Sequence, residues 1–226
     1  MRTRRAILIA VLAVLLTGPS VHADQDHFAT DPAGDANSAS CGLLLLAPQC
    51  LSISRPSEPA IDMLTFDVMT PGHSLVADIG VLDLDHPIVG QYGSDPEDGA
   101  RFTAAFQIGD GQNSWALIQL VGERDTNGNV TDAYLEVYSE VGNPSTTTRP
   151  LDVAFDTMRN RVRLATPFSV LNDAIREVCA NCPAIERGTE LRSPSTHSAV
   201  IDRDPTFGEM HPAEDYVSAS TSYFVE

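Results

Sequence analysis

The sequence predicts an all-β fold, an antiparallel, jelly-roll-like sandwich with one short helix and a disulfide-stapled loop. Three observations carry that expectation. Apolar and polar residues alternate with period 2 in segment after segment, the pattern of strands with one buried face. Glycine, proline, asparagine and aspartate separate these segments at short intervals, where tight turns need them. Strands and helices do not alternate along the chain, which argues against a parallel α/β sheet.

In chain order, Leu64, Phe66 and Val68 alternate in "DMLTFDVM", after the linker-like stretch 54–59. Pro71-Gly72 then makes a turn, and Leu75, Ala77, Ile79 and Val81 alternate in "SLVADIGVLDL". Phe102, Ala104, Phe106 and Ile108 repeat the pattern in "RFTAAFQI". "SWALIQLVGE" and "TDAYLEVYSE" flank Asn127-Gly128, a hairpin signal because both residues tolerate positive φ. "LDVAFD" and "RVRLATP" form a second hairpin around the turn 157–160. Leu171, Ala174, Ile175 and Val178 share one face of a helix over 169–178, with Ser169 as its cap. A turn-rich stretch follows from Cys179 to Thr196, and "HSAVID" and "VSASTSYFV" supply the last strands.

The amino terminus reads as an export signal. Arg2, Arg4 and Arg5 precede the apolar run 6–16, and Val21-His22-Ala23 has the small residues that a signal peptidase cuts after. The run is shorter than the roughly 20 residues that span a bilayer. Residues 24–59 form an N-terminal turn region and 60–226 the sandwich, with 24–226 as one folding unit. A chain without this leader is expected outside the membrane, secreted, periplasmic or at the cell surface. The whole chain carries 31 acidic residues against 14 basic ones, every basic residue is Arg, and the net charge is −17. Such a surface repels nucleic acid and anionic lipid and favours cations or basic partners.

Cys41, Cys50, Cys179 and Cys182 are an even set, read as two disulfides in an oxidising compartment. Adjacent pairing and cross-pairing are both open, and a zinc site or a redox Cys-x-x-Cys is the less favoured use.

"TDPAGDAN" places Asp31 and Asp35 on one tight turn around Pro32 and Gly34. Two carboxylates there repel unless a cation lies between them, and Ca2+ takes six to eight oxygens. Asp62, where the first strong strand starts, and Asp215, in "AEDY", are the candidates to complete such a site. Side chains capping their own backbone are the alternative. The run from Asp125 to Asp132 resembles a calcium loop at its opening, but its glycine falls at the fourth position and the hairpin explains it better.

"TDPAGDAN" followed by "PAIDMLTFDV", with a closing "EDY…Y" strand, resembles an exported β-sandwich module of actinobacterial and archaeal secreted proteins, related to DOMON-like and carbohydrate-binding sandwiches. The matching positions are Asp31, Pro32, Gly34, Asp35, Ala60 and Asp62, with Met63 where such modules usually carry Ile. The strand–turn–strand "VAFDTMRNRVRLATPFSVL" is similar as well. The long spacer around Cys41 and Cys50 and the Cys179–Cys182 loop depart from the pattern. The resemblance implies a binding or adhesion module, sometimes with structural calcium, rather than a hydrolase.

Trp115, Tyr134, Tyr138 and Tyr92 are candidate platforms for sugar rings, with Tyr134 and Tyr138 on one strand face. The alternative is Trp115 in the core with the tyrosines flanking it. No Gly-x-Ser-x-Gly, His-Glu-x-x-His or phosphate loop is present, so no catalytic residue is named. His27, His73, His86, His197 and His211 fall in turns and at strand ends. The expected function is binding of an extracellular glycan, a cell-wall polymer or a surface protein, stabilised by calcium. The alternatives are a secreted hydrolase and a purely structural envelope protein.

Overall fold

The computed structural model describes residues 27–44, 47–52, 58–88, 98–109, 115–139, 144–204, 208–211 and 213–226. The expected signal peptide and the candidate Tyr92 lie outside them. In chain order the strands are β1 (Ala29–Thr30), β2 (Asn37–Leu44), β3 (Ala47–Ser52), β4 (Met63–Met69), β5 (Ser74–Val81), β6 (Gly99–Gly109), β7 (Trp115–Asp125) and β8 (Val130–Ser139). They continue with β9 (Ser145–Pro150), β10 (Asp152–Asp156), β11 (Arg161–Pro167), helix α1 (Phe168–Val178), β12 (Glu190–Asp204), β13 (Gly208–Met210), β14 (Ala213–Ser218) and β15 (Tyr223–Phe224). Among the described residues the fold is an all-β sandwich with one α-helix.

Two antiparallel sheets make the layers. The smaller runs β1-β4-β5-β11-β10, and the larger runs β3-β2-β14-β12-β6-β7-β8-β9, with β13 and β15 on β12. The alternating apolar residues of both sheets meet in one core. Phe66 of the small sheet lies 6.3 Å from Phe106 of the large one, and Phe102 lies 5.9 Å from Phe155. Gly122 marks a close approach of the two sheets, because a Cβ there would stand 2.7 Å from Val153 Cγ2 and 2.8 Å from Leu164 Cδ2.

Helix α1 packs against β8, β9 and β11 and buries Leu171, Ala174, Ile175 and Val178, the expected face. Its cap differs from expectation. β11 runs straight into the helix: Pro167, still extended at φ −63° and ψ 144°, stands at the N-cap without a side-chain cap hydrogen bond, so Ser169 lies inside the helix and caps nothing. Asn172 then ties the following loop, its Oδ1 accepting from Ile185 N–H (2.6 Å) and its Nδ2 donating to Ile185 O (3.1 Å).

The β7–β8 hairpin is present but turns differently. Only Gly128 takes positive φ (82°), and Asp125 Oδ1 accepts the N–H groups of Asn127 and Asn129 at 2.9 and 2.8 Å. A register shift between Glu123 and Arg124 follows, as in a longer turn closed by a glycine bulge. Asp125 therefore serves as a turn cap.

Two further differences concern the ends. Residues 24–59, read as a turn region, contain the β2–β3 hairpin, which joins the large sheet through β14. The stretch read as one last strand from Val217 is two: β14 begins at Ala213, and β15 pairs with the start of β12. Asp215 hides β14 from a hydrophobic pattern, because a carboxylate stands at an inward position between Ala213 and Val217.

Cys179 and Cys182 are bonded to each other, Cα atoms 5.3 Å apart, which excludes cross-pairing and a zinc site using that pair. Cys41 and Cys50 are register partners on β2 and β3. No helix of the described residues is long and apolar enough to cross a membrane.

Candidate functional site

The aspartates singled out from the sequence gather at a corner between the sheets. Asp31 leaves β1 with its N–H on the Leu64 carbonyl (3.1 Å), which anchors the turn to β4. Gly34 reverses the chain at φ 92°, a conformation few residues with a Cβ adopt, and aims its N–H at Asp62 Oδ2 (2.6 Å). Asp35 is thereby brought beside Asp31. Asp215 enters from the inward face of β14, on the other sheet. Carboxylate oxygens of Asp31, Asp35 and Asp215 all lie within 4.8 Å of one another. Asp62 stands behind this group, holding the turn rather than converging with the three.

The electrostatics are those of crowded anions. Burial raises the Asp31 carboxyl above its ordinary value, and the charges of Asp35 and Asp62 add to the rise. Burial pushes Asp215 up to about 6. That happens although Met63 N–H and Tyr216 N–H donate to its two oxygens (2.6 and 2.8 Å), and Asp31 and Asp35 push the same way as burial. Asp31 Oδ2 is shut off from solvent and accepts no hydrogen bond among the described residues. Hard anionic oxygens converging around such an atom fit a divalent cation, with the exposed side of Asp35 leaving room for waters to complete its shell.

A groove of about 220 Å³ lies on the outer face of the large sheet. Cross-strand register builds it. Tyr134 on β8 opposes Val121, which opposes Thr103, which opposes His197, which opposes Tyr216 on β14. One rung along, Glu136, Gln119, Ala105 and Ser195 form the parallel row. Small residues on β6 and β12 leave the floor low, while Tyr134 rises on one side and His197 with Tyr216 on the other. Three strand spacings, about 14 Å, separate the strands that carry Tyr134 and His197. His197 and Tyr216 rings sit 5.2 Å apart, and Tyr216 is 66% exposed.

Burial lowers the His197 pKa, with Glu214 opposing the shift and His211 and Arg101 reinforcing it. Burial raises the Tyr134 hydroxyl. Both groups are therefore neutral near pH 7. The groove is smaller than the roughly 300–1,000 Å³ of pockets that enclose drug-sized ligands, and its size suits ring-sized units rather than a large cofactor.

Trp115 and Tyr138 lie on this same outer face, packed edge to face at 6.0 Å, so Trp115 is not a core residue. Tyr138, Glu136 and Tyr134 occupy alternate positions on β8, a strip of about 14 Å. Sequence reasoning named Tyr134 but passed over Arg101, Glu136, His197 and Tyr216. The alternation of β8 carries Glu136 as plainly as its tyrosines, whereas His197 and Tyr216 join the groove only through the register of β12 with β6 and β14.

No protein-family model, curated protein or solved structure matches this chain. The likeness to DOMON-like and carbohydrate-binding sandwiches rests on the sequence motifs alone.

Proposed function

We propose that the protein is an exported binding module that holds an extracellular glycan along the outer face of its large sheet, with calcium closing the acidic corner. The groove walled by Tyr134 on one side and by His197 and Tyr216 on the other carries this reading. Aromatic faces stack on the apolar faces of sugar rings, and Thr103, Gln119 and Ser195 offer hydrogen-bonding groups between the walls. Trp115 and Tyr138 extend the aromatic strip for a longer chain. Export is supported by the signal-like amino terminus and by the Cys179–Cys182 disulfide, a bond typical of oxidising compartments.

Glycan-array and calorimetric binding test the reading. Tyr134→Ala and Tyr216→Ala are each expected to weaken binding at least about tenfold, since stacked aromatics dominate such contacts. Binding that survives both changes would place the ligand elsewhere.

Calcium at the corner would be held by Asp31 and Asp35, on the turn between β1 and β2, and by Asp215 on β14. A cation bound only by the folded state raises stability by RT ln(1 + [L]/Kd), about 2.7 kcal/mol at a hundredfold excess over Kd. Metal-free protein should melt at a higher temperature after Ca2+ is added, and Asp35→Ala should abolish the rise. An unchanged melting temperature at saturating Ca2+ refutes the cation.

A further inference from the structure

We infer that the groove selects a saccharide carrying a protonated amine, an amino sugar whose nitrogen is not acylated; the inference rests on the glycan reading above. The argument is one of charge. Arg101 lines the groove, but its guanidinium is already engaged by Glu123 (2.6 and 2.7 Å) and Glu209 (2.7 Å). Arg203, behind it, pairs with Glu123 at 2.7 Å. Glu214 stands at the far wall, 3.2 Å from His211 and 3.8 Å from His197. Glu136 projects from the near wall between Tyr134 and Tyr138, and makes no hydrogen bond or ion pair among the described residues. Two arginines thus face Glu123, Glu136, Glu209 and Glu214, in a chain of net charge −17.

Each class of sugar meets this set differently. A uronate or phosphorylated sugar finds no guanidinium free to receive it and meets the Glu136 carboxylate, so it is repelled. A neutral sugar stacks, but it covers Glu136 without giving it a counter-charge, and desolvating a lone carboxylate is costly. A protonated amine donates to Glu136 and lies beside the face of Tyr134, one rung away, where a cation is attracted by the ring. The groove therefore distinguishes ligands by charge after its aromatic walls have accepted their shape.

Calorimetry with the full mature chain at low salt, below the amine pKa, separates the possibilities. The probes are tetramers of glucosamine, of N-acetylglucosamine and of a uronic acid. The glucosamine tetramer is expected to bind about tenfold or more tightly than its acetylated counterpart, with the uronate weakest, the scale of one charge-assisted hydrogen bond. The near-isosteric Glu136→Gln should bring the first two within about twofold of each other, while Tyr216→Ala weakens both alike. Equal binding of the two by the unaltered protein, or a preference that survives Glu136→Gln, overturns the amine inference and leaves the glycan reading standing. If no tetramer binds, or only a lysine-rich peptide does, both fall together.

Discussion

At Gly122 the outcome of one added methyl group is decided by what it would strike. The Cβ of Gly122→Ala would fall within 2.8 Å of side-chain carbons of Val153 and Leu164 across the sandwich, and Leu164 is fully buried on β11 between two other strands. We expect a loss of about 1–3 kcal/mol, the range for overpacking a full core, read as a lowered urea midpoint at constant slope. An unshifted midpoint would mean that the sheets lie farther apart than described. Asp215 shows the same logic for charge. Its folded carboxyl titrates at about 6 against an ordinary 3.8, so between those values the unfolded chain binds fewer protons than the folded one. Stability of the metal-free protein should then fall as pH rises from about 4 through 6. The contribution is on the order of 1–2 kcal/mol once solvent screening at this open corner is allowed for. Asp215→Asn should flatten that slope, and denaturation at a series of pH values checks it.

Elements show where turn chemistry, rather than burial, sets the local structure. In the β7–β8 hairpin, Gly128 at φ 82° should cost about 1 kcal/mol on replacement by alanine. Asp125→Ala should cost a similar amount by freeing the Asn127 and Asn129 N–H groups, and loss of amide protection confined to this hairpin would report it. Should either variant leave hairpin exchange unchanged, the turn is not held as described. Most strands were legible in the sequence because Phe66, Ile79, Phe106, Ile118 and Val162 stand at inward positions of regular alternations. The β2–β3 hairpin was not, since "NSASCGLL" and "APQCLS" carry no such period. The start of β14 was hidden from the alternation because an aspartate occupies an inward position, and the cap of α1 was misplaced because Pro167 stands at the N-cap without any side-chain cap hydrogen bond. For the acidic corner, the Asp-Pro-x-Gly-Asp turn was readable and the approach of Asp215 was a matter of tertiary pairing. For the groove, one wall was readable on β8. The other required knowing that His197 and Tyr216 lie in register, which no local pattern states.

On the scale of the whole molecule, the corner and the groove share the large sheet but answer to different elements. Asp215 and Tyr216 are adjacent on β14, and adjacent strand residues face opposite sides, so one strand serves the corner inward and the groove outward. Shifting β14 by one residue would exchange the two faces. Disturbing the corner is thus expected to reach the groove. Asp35→Ala at saturating Ca2+ should weaken glycan binding less than Tyr216→Ala does, and should weaken it more than Ca2+-insensitive changes at Met158, which is 97% exposed in the β10–β11 turn. Calorimetry of the three variants tests that order, and identical affinities for Asp35→Ala and the unaltered chain would uncouple the sites. The meeting of Asp31 with Asp215 also sets a timetable. Among the described residues the hairpin β2–β3 reaches the large sheet through β14, and Asp35 lies nearly at the opposite end of the chain from Asp215. On a chain made from its amino end, β1 can pair with β4 early, but the β2–β3 hairpin has no β14 to dock on until the final strands emerge. Contacts so distant in sequence form slowly. The large sheet is therefore completed only when synthesis is almost over, a delay that would suit the export proposed above.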